Sequence, residues 1–336
     1  MSEKTAQYVD GFLVDWGAIF FNQSEQVKPV KSGTSLSGLK PKKNTPSAKG
    51  GHLQKGKAIS AKTVRARLSA MAKKAPEVMV KVSGGGKGMK AIRPHLEYIS
   101  RNGKIELENQ SGEVIEGREG LNDLFYEWKN GAVRIEEDSD LKQAFNVVFS
   151  MPEGTDPIAV KRAVRDFAAK EFADHQYVMA LHTFDTDPDK NPSRHPHVHL
   201  AVKAYSEDGV RLNPRKADLQ HWREGFAEAL REHGVEAAAS KRQQRLKQER
   251  GEKQSVRYKK ARGEKLDRVG RNQGNPEAKR KALETEKKVL GSYRELTKKL
   301  ADSDSAEDRK LAVDLLNTVG SNLRKQQKET NKDRER

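Results

Sequence analysis

Residues 177–205 read YVMALHTFDTDPDKNPSRHPHVHLAVKAY, and this stretch decides the fold. Its two ends, 177–184 and 197–205, are apolar runs of strand length with β-branched and aromatic residues. The segment between them, 185–196, is polar and contains three prolines, which interrupt regular structure. The pattern therefore predicts two neighbouring strands of a mostly antiparallel sheet, joined by a long loop.

Histidines are concentrated in the same stretch. His197 and His199 are alternate residues of one predicted strand, so both imidazoles point to the same face of the sheet. His182 lies near the end of the preceding strand, which the hairpin-like connection brings alongside. A His-x-His pair alone would favour a cross-strand polar pair on a sheet surface over a metal site. With the third histidine, the set favours a metal site of three nitrogens that leaves positions open for water or substrate.

Strands and helices alternate in the sequence before and after this stretch. The apolar periodicity predicts strands over 77–82 and 145–151 and helices over 89–102, 121–131, 157–173 and 214–233. This order of elements indicates an α+β domain, with an antiparallel sheet and flanking helices. Beyond it, 62–75 predicts a short basic helix, and 277–300 and 305–328 predict a helical hairpin.

Charge is distributed unevenly along the 336 residues, whose formal net charge is +17. Residues 1–75 carry 14 basic and 4 acidic side chains, residues 76–239 carry 22 and 28, and residues 240–336 carry 29 and 16. Basic flanks indicate a polyanionic partner such as nucleic acid, because cations that meet phosphates release condensed counterions. Solvated helices and tails are the alternative.

Composition and charge together predict three regions. Only 34% of the residues are hydrophobic and 6% are aromatic, so a sizeable part of the chain is expected outside a packed core. We expect a basic, largely disordered N-terminal extension over 1–75, a folded domain over 76–251 and a basic helical region over 252–336. The boundary at 251 is where the family resemblance described below ends.

Several classes of protein are excluded. The chain has no cysteine, which excludes disulfides, thiolate nucleophiles and cysteine-ligated metals. No apolar run approaches the ~20 residues that cross a bilayer, so membrane insertion is not expected. The opening MSEKTAQYVDGFLVDW lacks the pattern of a secretory signal, and a cytoplasmic location is therefore expected.

Four motifs carry a family resemblance: VSGGG at 82–86, PHLEYISRNGKIEL at 94–107, FSMPEGTD at 149–156 and HPHVHLAVKA at 195–204. Together they resemble the P-type mobilization relaxases of the HUH tyrosine-endonuclease superfamily, in particular those that start T-DNA transfer. The resemblance runs from about residue 77 to residue 251. It implies an antiparallel-sheet relaxase domain that nicks one DNA strand.

The resemblance also implies roles for individual residues. Tyr98 matches the family's attacking tyrosine, and His182, His197 and His199 match the triad that binds a divalent metal. Members are generally Mg²⁺- or Mn²⁺-dependent, although three imidazoles suit Mn²⁺ or Zn²⁺ better than Mg²⁺. The chain departs from the family in the loop after His182, which is longer. Asp185 or Asp187 is therefore expected to orient a ligand through a hydrogen bond.

Helical spacing agrees with an accessible Tyr98. Ile92, Leu96 and Ile99 form an apolar stripe, and Tyr98 is rotated about 100° from Ile99, toward a cleft. A lone tyrosine on a helix is more often an aromatic at the edge of a core; the nearby histidine triad favours the functional interpretation. His95, Asp185 and His195 are the candidates for the base that takes the phenolic proton.

The function expected from these observations is that of a conjugative relaxase. It would nick the origin of transfer by tyrosine attack and remain on the 5′ end of the strand that is transferred to the recipient cell. Expected partners are single-stranded and duplex origin DNA, an accessory DNA-binding protein, a coupling protein and a type IV secretion system. The alternatives are a rolling-circle replication initiator, a transposase, or a non-catalytic nucleic-acid-binding protein. In the two alternative enzymes the tyrosine usually follows the His-x-His pair, whereas Tyr98 precedes it.

Overall fold

The computed structural model describes residues 61–190, 192–246, 256, 259–260, 262–264 and 276–334. These residues belong to two compact units, one over 75–239 and the other formed by 61–74 together with the described residues after 239. The three regions predicted above stay a prediction, because the first of them lies largely outside the described residues. None of the described helices is long and apolar enough to cross a membrane.

A six-stranded sheet forms the centre of the unit over 75–239. Its strands are β1 (Met79–Gly84), β2 (Leu107–Asn109), β3 (Val114–Ile115), β4 (Ala144–Ser150), β5 (Tyr177–His182) and β6 (His197–Lys203). Their order is β1-β4-β6-β5-β2-β3, and every neighbouring pair is antiparallel. The α+β class and the antiparallel sheet are thus confirmed. The β2–β3 hairpin was not predicted, since strands of three and two residues show no periodicity.

Helices cover both faces of this sheet. They are α2 (Met89–Ile99), α3 (Gly117–Asn130), α4 (Pro157–Glu171) and α5 (Lys216–Glu232). Asp156 caps α4 by accepting hydrogen bonds from the backbone N–H groups of Ile158 and Ala159. The helices are amphipathic, and each buries its apolar stripe against the sheet.

Two apolar clusters on opposite faces of the sheet form the core of this unit. Phe149 of β4 packs against Phe167 of α4 and Phe226 of α5, and its ring centroid lies 5.2 Å from each of theirs. On the other face, Ala180 and Ala201 pack with the apolar stripes of α2 and α3. Because side chains alternate along a strand, the histidines that lie two residues from these alanines share the face covered by α2.

Helix α2 ends in a tight turn. The helix stops at Ile99, and Arg101, Asn102 and Gly103 all have left-handed backbone angles, with φ of 51°, 58° and 83°. A Cβ on Gly103 would lie 2.5 Å from the carbonyl carbon of Gly117, so only glycine fits. The predicted helix to residue 102 was therefore slightly too long, because the chain reverses before its glycine stop.

The second unit is helical in its described part. Helices α1 (Ala61–Ala72), α6 (Pro276–Ala301) and α7 (Ala306–Arg334) share an apolar cluster that includes Leu68, Tyr293 and Leu315. Arg65 of α1 makes a two-pronged ion pair with Asp308 of α7, at 2.7 and 2.9 Å. The predicted C-terminal helices are present, and a short helix before the sheet domain packs with them.

Candidate active site

Three histidines meet at the end of the two central strands. His182 of β5 lies directly opposite His197 of β6, and His199 lies two residues further along the same face. The ring centroids are 4.7 to 5.2 Å apart. One nitrogen from each ring falls within 4.8 Å of the others. The structure thus brings together the three residues that the sequence singled out as metal ligands.

Two of these histidines present a free lone pair to the cluster. The Nδ1–H of His197 donates to the carbonyl of His195 at 2.9 Å, which leaves Nε2 as its lone-pair nitrogen. Nδ1 of His199 is buried and has no partner among the described residues. Burial, reinforced by the neighbouring imidazoles, lowers the pKa of His199 to about 3. Burial also lowers the pKa of His197, so both rings are neutral at pH 7.

His182 is fully buried and held from two sides. Its Nε2–H donates to the carbonyl of Ile99 at 2.7 Å, and Oδ2 of Asp187 lies 3.0 Å from Nδ1. The carboxylate favours a protonated ring, whereas burial is the larger influence and lowers the pKa of His182. Nη2 of Arg101 lies 3.4 Å from the same Nδ1. The neutral ring is therefore fixed in place by the end of α2 and by the β5–β6 loop.

Tyr98 lies beside the cluster and is open to solvent. It is on α2, and its side chain is 53% exposed although its neighbours Leu96 and Ile99 are buried. The ring is 5.9 Å from the ring of His199, edge to face. Exposure of a large aromatic at this position leaves the phenolic oxygen accessible to a ligand.

His95 lies one helical turn before Tyr98. Its ring is 6.4 Å from the rings of both Tyr98 and His199, and it stacks on the first of them. Its Nε2 is buried without a partner among the residues described. Burial lowers the pKa of His95 to about 4, so this imidazole is also neutral at pH 7.

The other two predicted base candidates lie differently. His195 is exposed, and its Nδ1 accepts a hydrogen bond from the backbone N–H of Glu153 at 3.0 Å. Asp185 is exposed in the β5–β6 loop. Of the two aspartates left open as orienting residues, Asp187 is the one that contacts His182.

Arg101 is a site residue that sequence reasoning missed. Its Nε and Nη2 donate to the two carboxylate oxygens of Asp187, at 2.7 and 2.8 Å. This guanidinium holds the pKa of Asp187 at about 2. The contact joins residues 86 positions apart across a proline-containing loop. No periodicity signals such a pairing; only the position of Arg101 just after Tyr98 hints at it.

The three-histidine cluster fits a divalent cation. Its imidazoles are neutral and come from two paired strands, and Nδ1 of His199 is buried without a hydrogen-bond partner within the described residues. Both nitrogens of His182 are engaged, by the Ile99 carbonyl and by Asp187, so His182 would bind the cation only by giving up one of these contacts. Imidazole donors are typical of Zn²⁺ sites, whereas Mg²⁺ and Mn²⁺ are more often bound by oxygen.

Comparison with known proteins agrees with this geometry. The family model for the nuclease domain of MobA/VirD2-like relaxases matches residues 98–235. The T-DNA border endonuclease VirD2 of Rhizobium radiobacter is 28% identical over 189 residues, which cover 50% of this chain and 43% of that protein. The proteins of the same name from Agrobacterium fabrum and Rhizobium rhizogenes are 26% and 28% identical, again over 50% of this chain and over 40% and 42% of their own length.

The chain therefore spans less than half the length of these relatives. The matched residues 98–235 lie within the unit over 75–239 and begin at Tyr98. They also include all three histidines of the cluster. Residues 98–235 are thus similar to the nuclease domains of MobA/VirD2-like relaxases.

Proposed function

We propose that this chain is a site- and strand-specific DNA relaxase that nicks an origin of transfer. The observation that carries the proposal is the exposed phenol of Tyr98 beside three neutral histidines on a separate pair of strands. A nucleophile and a cation site on neighbouring elements are the two groups that attack on a phosphodiester requires.

In the proposed reaction, Oη of Tyr98 attacks the scissile phosphorus. An oxygen–phosphorus bond to tyrosine forms as the bond from phosphorus to the 3′-oxygen breaks. The phenolic proton is lost to a base, and the departing 3′-oxygen takes up a proton. The products are a 5′-phosphotyrosyl strand and a free 3′-hydroxyl. Because one phosphodiester replaces another, the strand can later be rejoined, which hydrolysis by water would prevent.

His182, His197 and His199 would hold the divalent cation, Mg²⁺ or Mn²⁺ by family resemblance and Zn²⁺ by donor type. When bound, such a cation supplies positive charge that offsets the charge of the scissile phosphate. His95 is the base candidate whose ring stacks beside Tyr98, with 6.4 Å between the ring centroids. Its pKa of about 4 keeps a lone pair available at pH 7 but gives proton transfer little driving force.

The proposal extends to the partners expected from the sequence. The 5′-linked strand would be carried to a recipient cell with help from an accessory DNA-binding protein, a coupling protein and a type IV secretion system. The basic flanks, with 43 of the 65 Lys and Arg, support contact with single-stranded and duplex DNA.

The test is cleavage of a supercoiled plasmid that carries the DNA flanking this reading frame, in Mn²⁺. Wild-type protein should give nicked plasmid with protein attached in SDS. Tyr98→Phe keeps the ring and removes the attacking oxygen, so nicking and the adduct should both vanish. The matched control is Tyr126→Phe, since Tyr126 is a 72% exposed tyrosine on α3.

Two outcomes would contradict the proposal. A Tyr98→Phe protein that still nicks and leaves a free 5′-phosphate would mean that water attacks. Wild-type protein that binds the plasmid without nicking it would indicate a non-catalytic DNA-binding role. A mating assay with the same plasmid separates a relaxase from a replication initiator, which would form the adduct without promoting transfer.

A further inference from the structure

Arg101 connects the candidate nucleophile to the histidine cluster. Its guanidinium carbon lies 4.6 Å from the centroid of the Tyr98 ring, and its Nη1 donates to the Tyr98 carbonyl at 3.0 Å. The other edge of the same guanidinium holds Asp187 with two hydrogen bonds. Asp187 in turn contacts His182. One side chain thus touches the tyrosine ring and the residue that braces a proposed metal ligand.

The backbone of Arg101 has an unfavourable conformation that its surroundings must maintain. A bulky residue with φ of 51° is strained, and glycine would adopt the same conformation freely. The left-handed turn directs the side chain back over Tyr98 instead of onward along the helix axis. A strained backbone conformation persists only where several surrounding contacts hold it in place. Such conformations are concentrated at functional sites.

The surroundings of Arg101 make the contact rigid. The arginine side chain is 14% exposed and its partner Asp187 is 2% exposed. Arg101 is also within 3.4 Å of Asp189, so a second carboxylate lies on the same guanidinium. Two parallel hydrogen bonds fix the guanidinium, and its carbon lies over the Tyr98 ring at a distance typical of a cation–π contact.

We propose that Arg101 is a positioning residue that fixes the ring of Tyr98 against the histidine cluster. The role in cleavage rests on the proposed function, in which Tyr98 is the nucleophile. Lysine cannot reproduce it, because an ammonium group has neither the two-pronged fork nor the planar face. The bridge would hold Tyr98 beside the cluster although half of its surface is open to solvent.

The first test uses full-length protein without metal or DNA, labelled with ¹³C in its tyrosine rings. The Tyr98 signals are assigned by their loss in Tyr98→Phe. In Arg101→Lys they should move toward the signals of the exposed Tyr126. The control Arg134→Lys changes an arginine whose ion pair with Glu136 is on the exposed surface, and it should leave the Tyr98 signals unchanged.

The second test measures cleavage by the same variants. Arg101→Lys should lower kcat about 10- to 100-fold while KM changes less than about twofold, because a small displacement of a reacting group affects the chemical step more than binding. Asp187→Asn should have a similar effect, and the double variant should lose no more than the worse single variant, since the two residues act as a unit.

Unchanged Tyr98 signals in Arg101→Lys would overturn the proposal, as would cleavage kinetics equal to those of Arg134→Lys. Fully additive losses in the double variant would also overturn it, since Arg101 and Asp187 would then act separately. The labelling experiment needs no activity, so it remains informative if Tyr98→Phe proves that Tyr98 is not the nucleophile.

Discussion

At the scale of single residues, the chemistry of the site depends on imidazoles that burial keeps neutral. An exposed histidine is partly protonated near pH 6.5 and then has no lone pair for a cation. His95, His182, His197 and His199 all have a lowered pKa, and burial is the largest cause in each. Four clustered imidazoles would repel one another if charged. Burial therefore prepares the site for a cation at physiological pH.

Replacement of a proposed ligand should strongly weaken cation binding without unfolding the protein. We expect His199→Ala and His197→Ala each to weaken Mn²⁺ binding more than about 100-fold. Loss of a residue that only hydrogen-bonds to a ligand typically weakens metal binding about 10- to 100-fold. His182→Ala should do the same. Titration calorimetry measures the affinity, and His221→Ala is the control, because His221 is exposed on α5 and pairs with Glu171. Undiminished binding by the His197 and His199 variants would exclude the triad.

The stability of the metal-free protein should depend on pH through His95. Its folded pKa is about 4, below the unfolded value near 6.5, so between these values the unfolded state binds more protons. The free energy of unfolding should therefore fall as the pH decreases through this window. The contribution of His95 to this fall should be up to about 2 kcal/mol between pH 6.5 and pH 5. Urea unfolding at pH 7 and pH 5 should show a smaller difference for His95→Gln than for wild type. Equal differences would contradict the assignment.

At the scale of elements, the turn after α2 positions Arg101 beside Tyr98, and Gly103 makes this turn possible. We expect Gly103→Ala to destabilise the protein by about 1 kcal/mol, because alanine disfavours the φ of 83° at this position. The alanine Cβ would also collide with the backbone of Gly117, which should destabilise the protein further. Gly112→Ala is the matched control, since Gly112 has a φ of 81° but no described atom lies within 4 Å of the place that an alanine Cβ would take. Thermal unfolding of the two variants measures the difference. Equal losses would mean that the turn relaxes away from Gly117.

The same elements show what a sequence can and cannot predict. Strands β4, β5 and β6 and the helices were predictable, because their apolar patterns extend over six or more residues. The placement of His197 and His199 on one face followed from the alternation of side chains along a strand. The side-chain contacts made by the long loop were not predictable, so the choice of Asp187 over Asp185 needed the structure. So did Arg101, whose role depends on a left-handed turn that no periodicity encodes.

At the scale of the whole molecule, charge and packing divide the chain in similar ways. Residues 75–239 have two apolar clusters of their own on the faces of one sheet. They also carry 22 basic and 28 acidic side chains, so the unit that contains the candidate site is mildly acidic. The rest of the chain has the excess of Lys and Arg. We infer that cleavage and general affinity for DNA reside in different parts of the chain.

A fragment of residues 75–239 tests this division. Because its core is complete, the fragment should fold and should cleave a short single-stranded oligonucleotide that contains the nick site. Its affinity for longer DNA should be lower than that of the full chain. The slope of log K against log salt should also be flatter, since each phosphate that the protein no longer neutralises removes about 0.7 from the slope on single strands. Fluorescence anisotropy over a series of salt concentrations measures both quantities. An unchanged slope would mean that the basic flanks do not contact DNA phosphates, and that they serve a protein partner of the transfer machinery instead.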